Sequence, residues 1–157
     1  MAAKGYVIRT GAFALSTTVK TACNLIASAT VSGTVTQISA SVAATTGRFL
    51  VELFESTQAA NGTGATSTGA KQTYGFMGID TVGPGCTYGL VYTTEPTVLT
   101  ILEDWWVPCP GPFILQFPLG RENTTLYNAA TKYRGIGFRL SIDSGTPNAN
   151  ASLRWEE

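Results

Sequence analysis

From Thr97 to Glu122 the chain reads as two apolar runs on either side of a Pro-Cys-Pro-Gly-Pro break. In the second run Phe113, Leu115, Phe117 and Leu119 alternate with Ile114, Gln116 and Pro118. That period of two is what a pleated strand needs to bury one face. The first run, Val98 to Trp106, is apolar on both faces until Glu103 and Asp104 arrive. The pattern predicts two buried strands joined by a stiff, irregular connection.

The same period recurs elsewhere. Val19 to Ala27 predicts a core strand with Val19, Thr21, Cys23 and Leu25 on one side. Ile38, Ala40 and Val42 alternate with Gln37, Ser39 and Ser41, giving a half-buried strand with a hydroxyl-rich outer face. Phe49, Val51 and Leu53 define a third strand, whose second face, carrying Leu50 and Phe54, is also partly covered. Ser56 to Ala70 has no large apolar residue and reads as a long surface loop. Gln72 to Ile79 and Tyr88 to Thr93 read as two further strands around Val82-Gly83-Pro84-Gly85. Near the end, Ile136, Phe138, Leu140 and Ile142 precede the turn material Asp143 to Asn148, and Ala149, Ala151, Leu153 and Trp155 follow it. A closing antiparallel hairpin is the expectation.

No segment longer than a turn has the apolar period of a helix, so the fold class expected is all-β, an antiparallel sandwich or barrel of seven to nine strands. The wiring is a jelly roll or another Greek key. The first residues stand apart: Tyr6 to Arg9 and Phe13 to Leu15 are short extended pieces around Gly11, with little alternation. They predict an extended N-terminal arm over residues 1–17, ahead of a β-sandwich domain over 18–157.

Composition changes this picture in one respect. Only 13% of the 157 residues are charged, against about a quarter in an ordinary soluble domain, and ten basic residues balance ten acidic ones. Net charge near zero favours association, so much of the surface is expected to be interface. The three cysteines, Cys23, Cys86 and Cys109, are widely spaced and predict free thiols in a reducing compartment. The opening residues lack a signal-peptide core and no run is long enough to cross a bilayer. Synthesis in the cytosol, with no membrane partner, follows as the expectation.

The sequence holds no histidine, which removes the base from Ser-His-Asp and Cys-His arrangements and leaves a zinc site short of ligands. Paired carboxylates remain as glycosidase candidates among Glu52, Glu55, Glu103 and Asp104. Adjacent Glu103 and Asp104 point to opposite sides of a strand, the wrong way to share a substrate. Gly83 to Gly85 lacks the lysine and helix of a phosphate loop, and the basic residues are too scattered for a nucleic-acid stripe. No enzyme, cofactor, metal or nucleic-acid partner is expected.

Trp105 and Trp106 are adjacent and face opposite ways on a continuous strand. Either both faces are covered and both rings are buried, or one ring is exposed beside Pro108 and Pro110 as an anchor for a partner.

The segments Glu95 to Leu99, Gln116 to Glu122, Arg134 to Gly137 and the closing Leu153 to Glu157, together with Ile38 to Val42 and Phe49 to Leu53, resemble those of small all-β virion proteins of tailed bacteriophages. Proteins of this size and composition resemble head decoration, or cement, proteins, which are often trimeric and lock neighbouring subunits of an icosahedral shell. The resemblance implies a virion location, the major capsid protein as partner and a homotrimer. On it, Tyr6, Val7, Ile8, Arg9 and Phe13 form a capsid-binding arm that adds a strand to the shell, and Trp105, Trp106, Pro108, Arg121 and Glu122 lie at a subunit interface. The alternative is a head-fibre or tail-associated module that binds a receptor or carbohydrate through the tryptophan pair and the Ser56 to Ala70 loop.

Overall fold

Alternation along the chain becomes two-facedness in space. The computed structural model describes residues 4–57, 71–74, 84–96, 99–118, 123–124 and 134–157, and every regular element among them is a strand. The first half supplies β1 (Gly5–Arg9), β2 (Phe13–Ala14), β3 (Lys20–Ile26), β4 (Thr34–Val42), β5 (Arg48–Thr57) and β6 (Lys71–Tyr74). The second supplies β7 (Thr87–Leu90), β8 (Leu99–Pro108), β9 (Pro112–Gln116), β10 (Asn123–Thr124), β11 (Arg134–Ile142) and β12 (Asn148–Glu156).

These strands form two antiparallel sheets. One runs β10-β4-β12-β1-β6, with β9 also paired to β4 and β2 to β12; the other runs β7-β3-β11-β5-β8. The chain changes sheet between β2 and β3, β3 and β4, β4 and β5, β5 and β6, β6 and β7, β8 and β9, β10 and β11, and β11 and β12. Ile38 and Ala40 of β4, Leu153 and Trp155 of β12, and Ile8 of β1 share one apolar cluster with Phe49 and Val51 of β5, Phe138 and Leu140 of β11, and Leu25 of β3. The alternating residues of both sheets therefore meet in one core, the arrangement that lets each sheet bury a single face.

Several expectations need correction. The closing segments do not form a hairpin: β11 pairs with β3 and β5, whereas β12 pairs with β4, β1 and β2. Residues 143–147 carry the chain from one sheet to the other, and Gly145, at φ 80°, takes the left-handed conformation this turn uses. Both strands still aim their apolar residues at the same interior, from opposite sides. Thr21 does not share a face with Cys23, because a register shift places Cys23 opposite Phe138 but Thr21 opposite Arg139. A bulge of this kind reverses the side-chain alternation beyond it.

The N-terminal segment is not free of the domain's own sheet. β1 lies between β12 and β6, pairing Tyr6 with Trp155 and Ile8 with Leu153 on one side and Val7 with Lys71 on the other. Tyr6, Val7, Ile8 and Phe13 are buried. Little alternation was visible because Val7, on the face opposite Tyr6 and Ile8, is buried as well.

Candidate functional site

β8 and β9 meet at the open side of the two sheets. Among the described residues β8 is the outer strand of the second sheet, bounded by β5 alone, and β9 pairs only with β4. They are half-exposed margins: β9 turns one face inward, as its alternation predicted, whereas β8, expected as a buried strand apolar on both faces, leaves its outer face exposed. On β8, Trp105 lies across from Val51 and turns inward; Trp106 lies across from Leu50 and turns outward. On β9, Phe113 and Leu115 turn in and Ile114 turns out, 65% exposed.

Trp105 meets Phe113 with ring centroids 5.2 Å apart and planes tilted by 40°, bridging the last strand of one sheet to the last strand of the other. Such an aromatic pair contributes roughly 0.5–1.5 kcal/mol beyond its burial. Trp106 is 48% exposed, with the Arg48 guanidinium 4.9 Å from its ring centroid. Of the two arrangements open to the tryptophan pair, the structure has one ring turned inward and the other exposed.

Further along β8 a register shift sets Glu103 opposite Leu53 but Ile101 opposite Phe54, so Leu102 is the extra residue of a bulge. A bulge interrupts alternation, and Ile101 and Leu102 are exposed at 38% and 41%. With Trp106 they give the outer edge of β8 an apolar character that a solvent-facing margin ordinarily lacks. Pro108 is also exposed, and Cys109 N–H donates to the Gly47 carbonyl at 2.9 Å, fixing the connection to β9. A side chain at Gly111 would come within 2.7 Å of the Pro108 carbonyl oxygen, so that corner needs glycine.

The predicted interface residues are thus divided. Trp105, Trp106 and Pro108 stand together on β8, while Arg121 and Glu122 lie outside the described residues. Of the five residues predicted to bind the capsid, Arg9 alone is exposed; Tyr6 stacks on Trp155 at 5.4 Å between centroids and belongs to the core. Burial, and then the charge of Glu157, push the Tyr6 hydroxyl above the usual tyrosine range.

The candidate carboxylates are also distributed. Glu52 accepts from Arg139 Nε at 2.6 Å, and Glu55 is paired with Arg134. Glu103 and Asp104 are exposed and oppose Leu53 and Glu52, on opposite faces. Two other carboxylates, not singled out by the sequence, act as anchors. Glu95 accepts from the Thr21 backbone N–H at 2.8 Å and from the Thr21 hydroxyl. Glu157 accepts from Gly85 N–H at 2.8 Å and from both Cys86 N–H and Trp155 Nε1–H at 2.9 Å. The partners of Glu95 and most of those of Glu157 are more than 70 residues away, and no local spacing signals them.

Behind β3 a polar pair is sealed from solvent. Val91, at φ 46°, turns the chain so that Tyr92 lies back over Gly89. Tyr92 Oη and Asn24 Oδ1 are buried and meet no hydrogen-bond partner at close geometry among the described residues, although Asn24 Nδ2 donates to Ser56 Oγ at 3.3 Å. Desolvation pushes the Tyr92 hydroxyl up to about 12.

The β8 margin offers the exposed apolar and aromatic side chains Ile101, Leu102 and Trp106 beside the exposed carboxylates Glu103 and Asp104. Compared with protein families, with curated proteins and with solved structures, the chain gives no match.

Proposed function

We propose that this chain is a non-catalytic structural protein of a tailed-phage virion: a β-sandwich of jelly-roll-like wiring that decorates the assembled head. It binds the major capsid protein and stabilises contacts between capsid subunits as a homotrimer. The reading draws on the sequence resemblance given above and on the low charge of the chain.

One structural observation carries it. The outermost strand of a sheet displays Ile101, Leu102 and Trp106, each more than a third exposed, where isolated proteins place charge or cover. Tryptophan at an exposed, rigid position is the side chain most enriched at the centres of protein interfaces. Since β1 is an interior strand, attachment is assigned to β8 and the connection after Pro108 instead of to an N-terminal arm.

Quantitative mass spectrometry of virions from the phage that encodes the chain tests this reading. Hundreds of copies per particle are expected, and a Trp106→Ser chain should fold yet fail to coat heads. A handful of copies, or none, would overturn the assignment to the shell.

A further inference from the structure

The outer face of the first sheet, opposite the core, carries three cross-strand rows of mostly polar side chains. In the central row Ile114 of β9 stands beside Ser39 of β4, Ser39 beside Ser152 of β12, and Ser152 beside Arg9 of β1. The row on one side runs Gln116, Gln37, Arg154 and the buried Val7; the row on the other runs Pro112, Ser41, Asn150. Strands about 4.8 Å apart and same-face residues about 6.7 Å apart make this a platform roughly 14 Å on each side. β9 contributes Ile114, Pro112 and Gln116, β4 and β12 contribute hydroxyl and amide groups with Arg154 among them, and β1 contributes Arg9.

A shallow, open hollow of about 420 Å³ lies over it, and it adjoins a second hollow of about 530 Å³, lined also by Glu156, through Gln37 and Arg154. No acidic side chain is among the described residues lining the first hollow, whereas Arg154 is, beside Arg9, which has a partner of its own. The Ser39 and Ser152 hydroxyls bond to each other at 2.7 Å, so one proton remains to be donated outward. Among the described residues nothing engages the side chains of Gln37, Ser41, Asn150 or the Arg154 guanidinium.

We infer that this face is a binding site for an acidic saccharide. Paired donors and acceptors on serine, glutamine and asparagine side chains match the hydroxyls of a sugar, and exposed Ile114 and Pro112 offer a flat apolar contact for the C–H face of a ring. A planar guanidinium meets a carboxylate or sulfate bidentately. Nucleic acid is disfavoured because the one aromatic residue of the hollow, Phe113, packs inward on Trp105, leaving no exposed ring on which a base could stack. The site stands on the opposite sheet from the β8 margin, and it holds or fails independently of the decoration role.

The test begins with an array of uronate, sialylated and sulfated saccharides probed with the full chain, followed by NMR titration with the strongest ligand. Amide shifts should concentrate at Ser39, Ser152, Gln37 and Arg154, and the neutral methyl ester or desulfated form should bind at least about tenfold more weakly. Arg154→Gln, an exposed change that leaves the core intact, should weaken binding about tenfold, and affinity should fall as salt rises. Ile114→Ser should weaken it by a smaller factor. The inference is overturned if no acidic saccharide binds at millimolar concentration, or if the shifts map to β8. It is equally overturned if inorganic sulfate or a short DNA strand reproduces the same shifts at the same affinity, which would mark a general anion surface.

Discussion

Replacing Ile8 by alanine separates an attachment arm from a structural strand. Ile8 is 1% exposed, faces Leu153 and lies in the shared core. Truncating a buried isoleucine to alanine costs about 2–5 kcal/mol. In a domain of this size each kcal/mol lowers Tm by about 2–4 °C, so a fall of roughly 4–20 °C is expected. Deleting residues 1–15 should do more. It strips Tyr6, Val7, Ile8, Phe13 and Leu15 from buried positions, and at about 1.5–3 kcal/mol each their loss matches the whole stability of a typical domain. It also unpairs one side of β12 and of β6. Circular dichroism melts and amide NMR spectra of the full and truncated chains provide the assay, with Thr146→Ala as a surface control expected within about 0.5 kcal/mol. A truncated chain with a dispersed spectrum and a cooperative melt near the parent Tm would refute the reasoning and return the segment to an arm.

The two tryptophans should separate cleanly: Trp106→Ala should change stability by no more than about 1 kcal/mol, the scale of its exposed cation-π contact, while weakening association in sedimentation experiments. Trp105→Ala should lower Tm visibly, because it opens the contact with Phe113 between the sheets. With no histidine, stability should stay flat between about pH 6 and 8. The folded state holds the Tyr92 proton up to about 12, whereas an unfolded tyrosine ionises near 10, so this contribution is whole below about pH 10 and is lost as the pH climbs toward 12. Tyr92→Phe should remove that alkaline loss in pH-dependent melts. Arg139→Met alone should destabilise by about 3 kcal/mol by stranding the largely buried Glu52, whereas Arg139→Met with Glu52→Leu should come close to neutral in denaturant titrations.

What the sequence made legible was the face each residue takes within a strand. The alternations in β4, β9, β11 and β12 each correspond to an inward face, because a period of two has no other physical use in an extended chain. It could not say which strand lies alongside. A hairpin and a crossing between sheets produce the same alternation, so β11 and β12 looked like neighbours. Apolar residues on both faces have two causes as well. In β1 they mark an interior strand covered on two sides, and in β8 a margin whose outer face remains open. Of the β8 site, the opposed directions of Trp105 and Trp106 were readable; the exposure of Ile101 and Leu102 was not, because it follows from a one-residue bulge with no sequence mark. The saccharide-facing rows escaped notice because they join residues of four strands drawn from both ends of the chain.

The placement of β1 also sets an order on the making of the protein. Gly5 pairs with Glu156, so β1 waits for a partner some 150 residues further along the chain. At about 5–20 residues per second that delay is roughly 8–30 s, during which Tyr6, Val7 and Ile8 have no sheet to join on their β12 side. Closing so long a loop is entropically slow, and folding dominated by such distant pairings belongs at the slow end for its size. The first sheet is therefore closed by its latest strand, β12, which enters between β4 and β1. Until that moment the nascent chain exposes the apolar β1 and the gap beside it, and a second copy on the same message carries an identical β12 that fits the gap equally well.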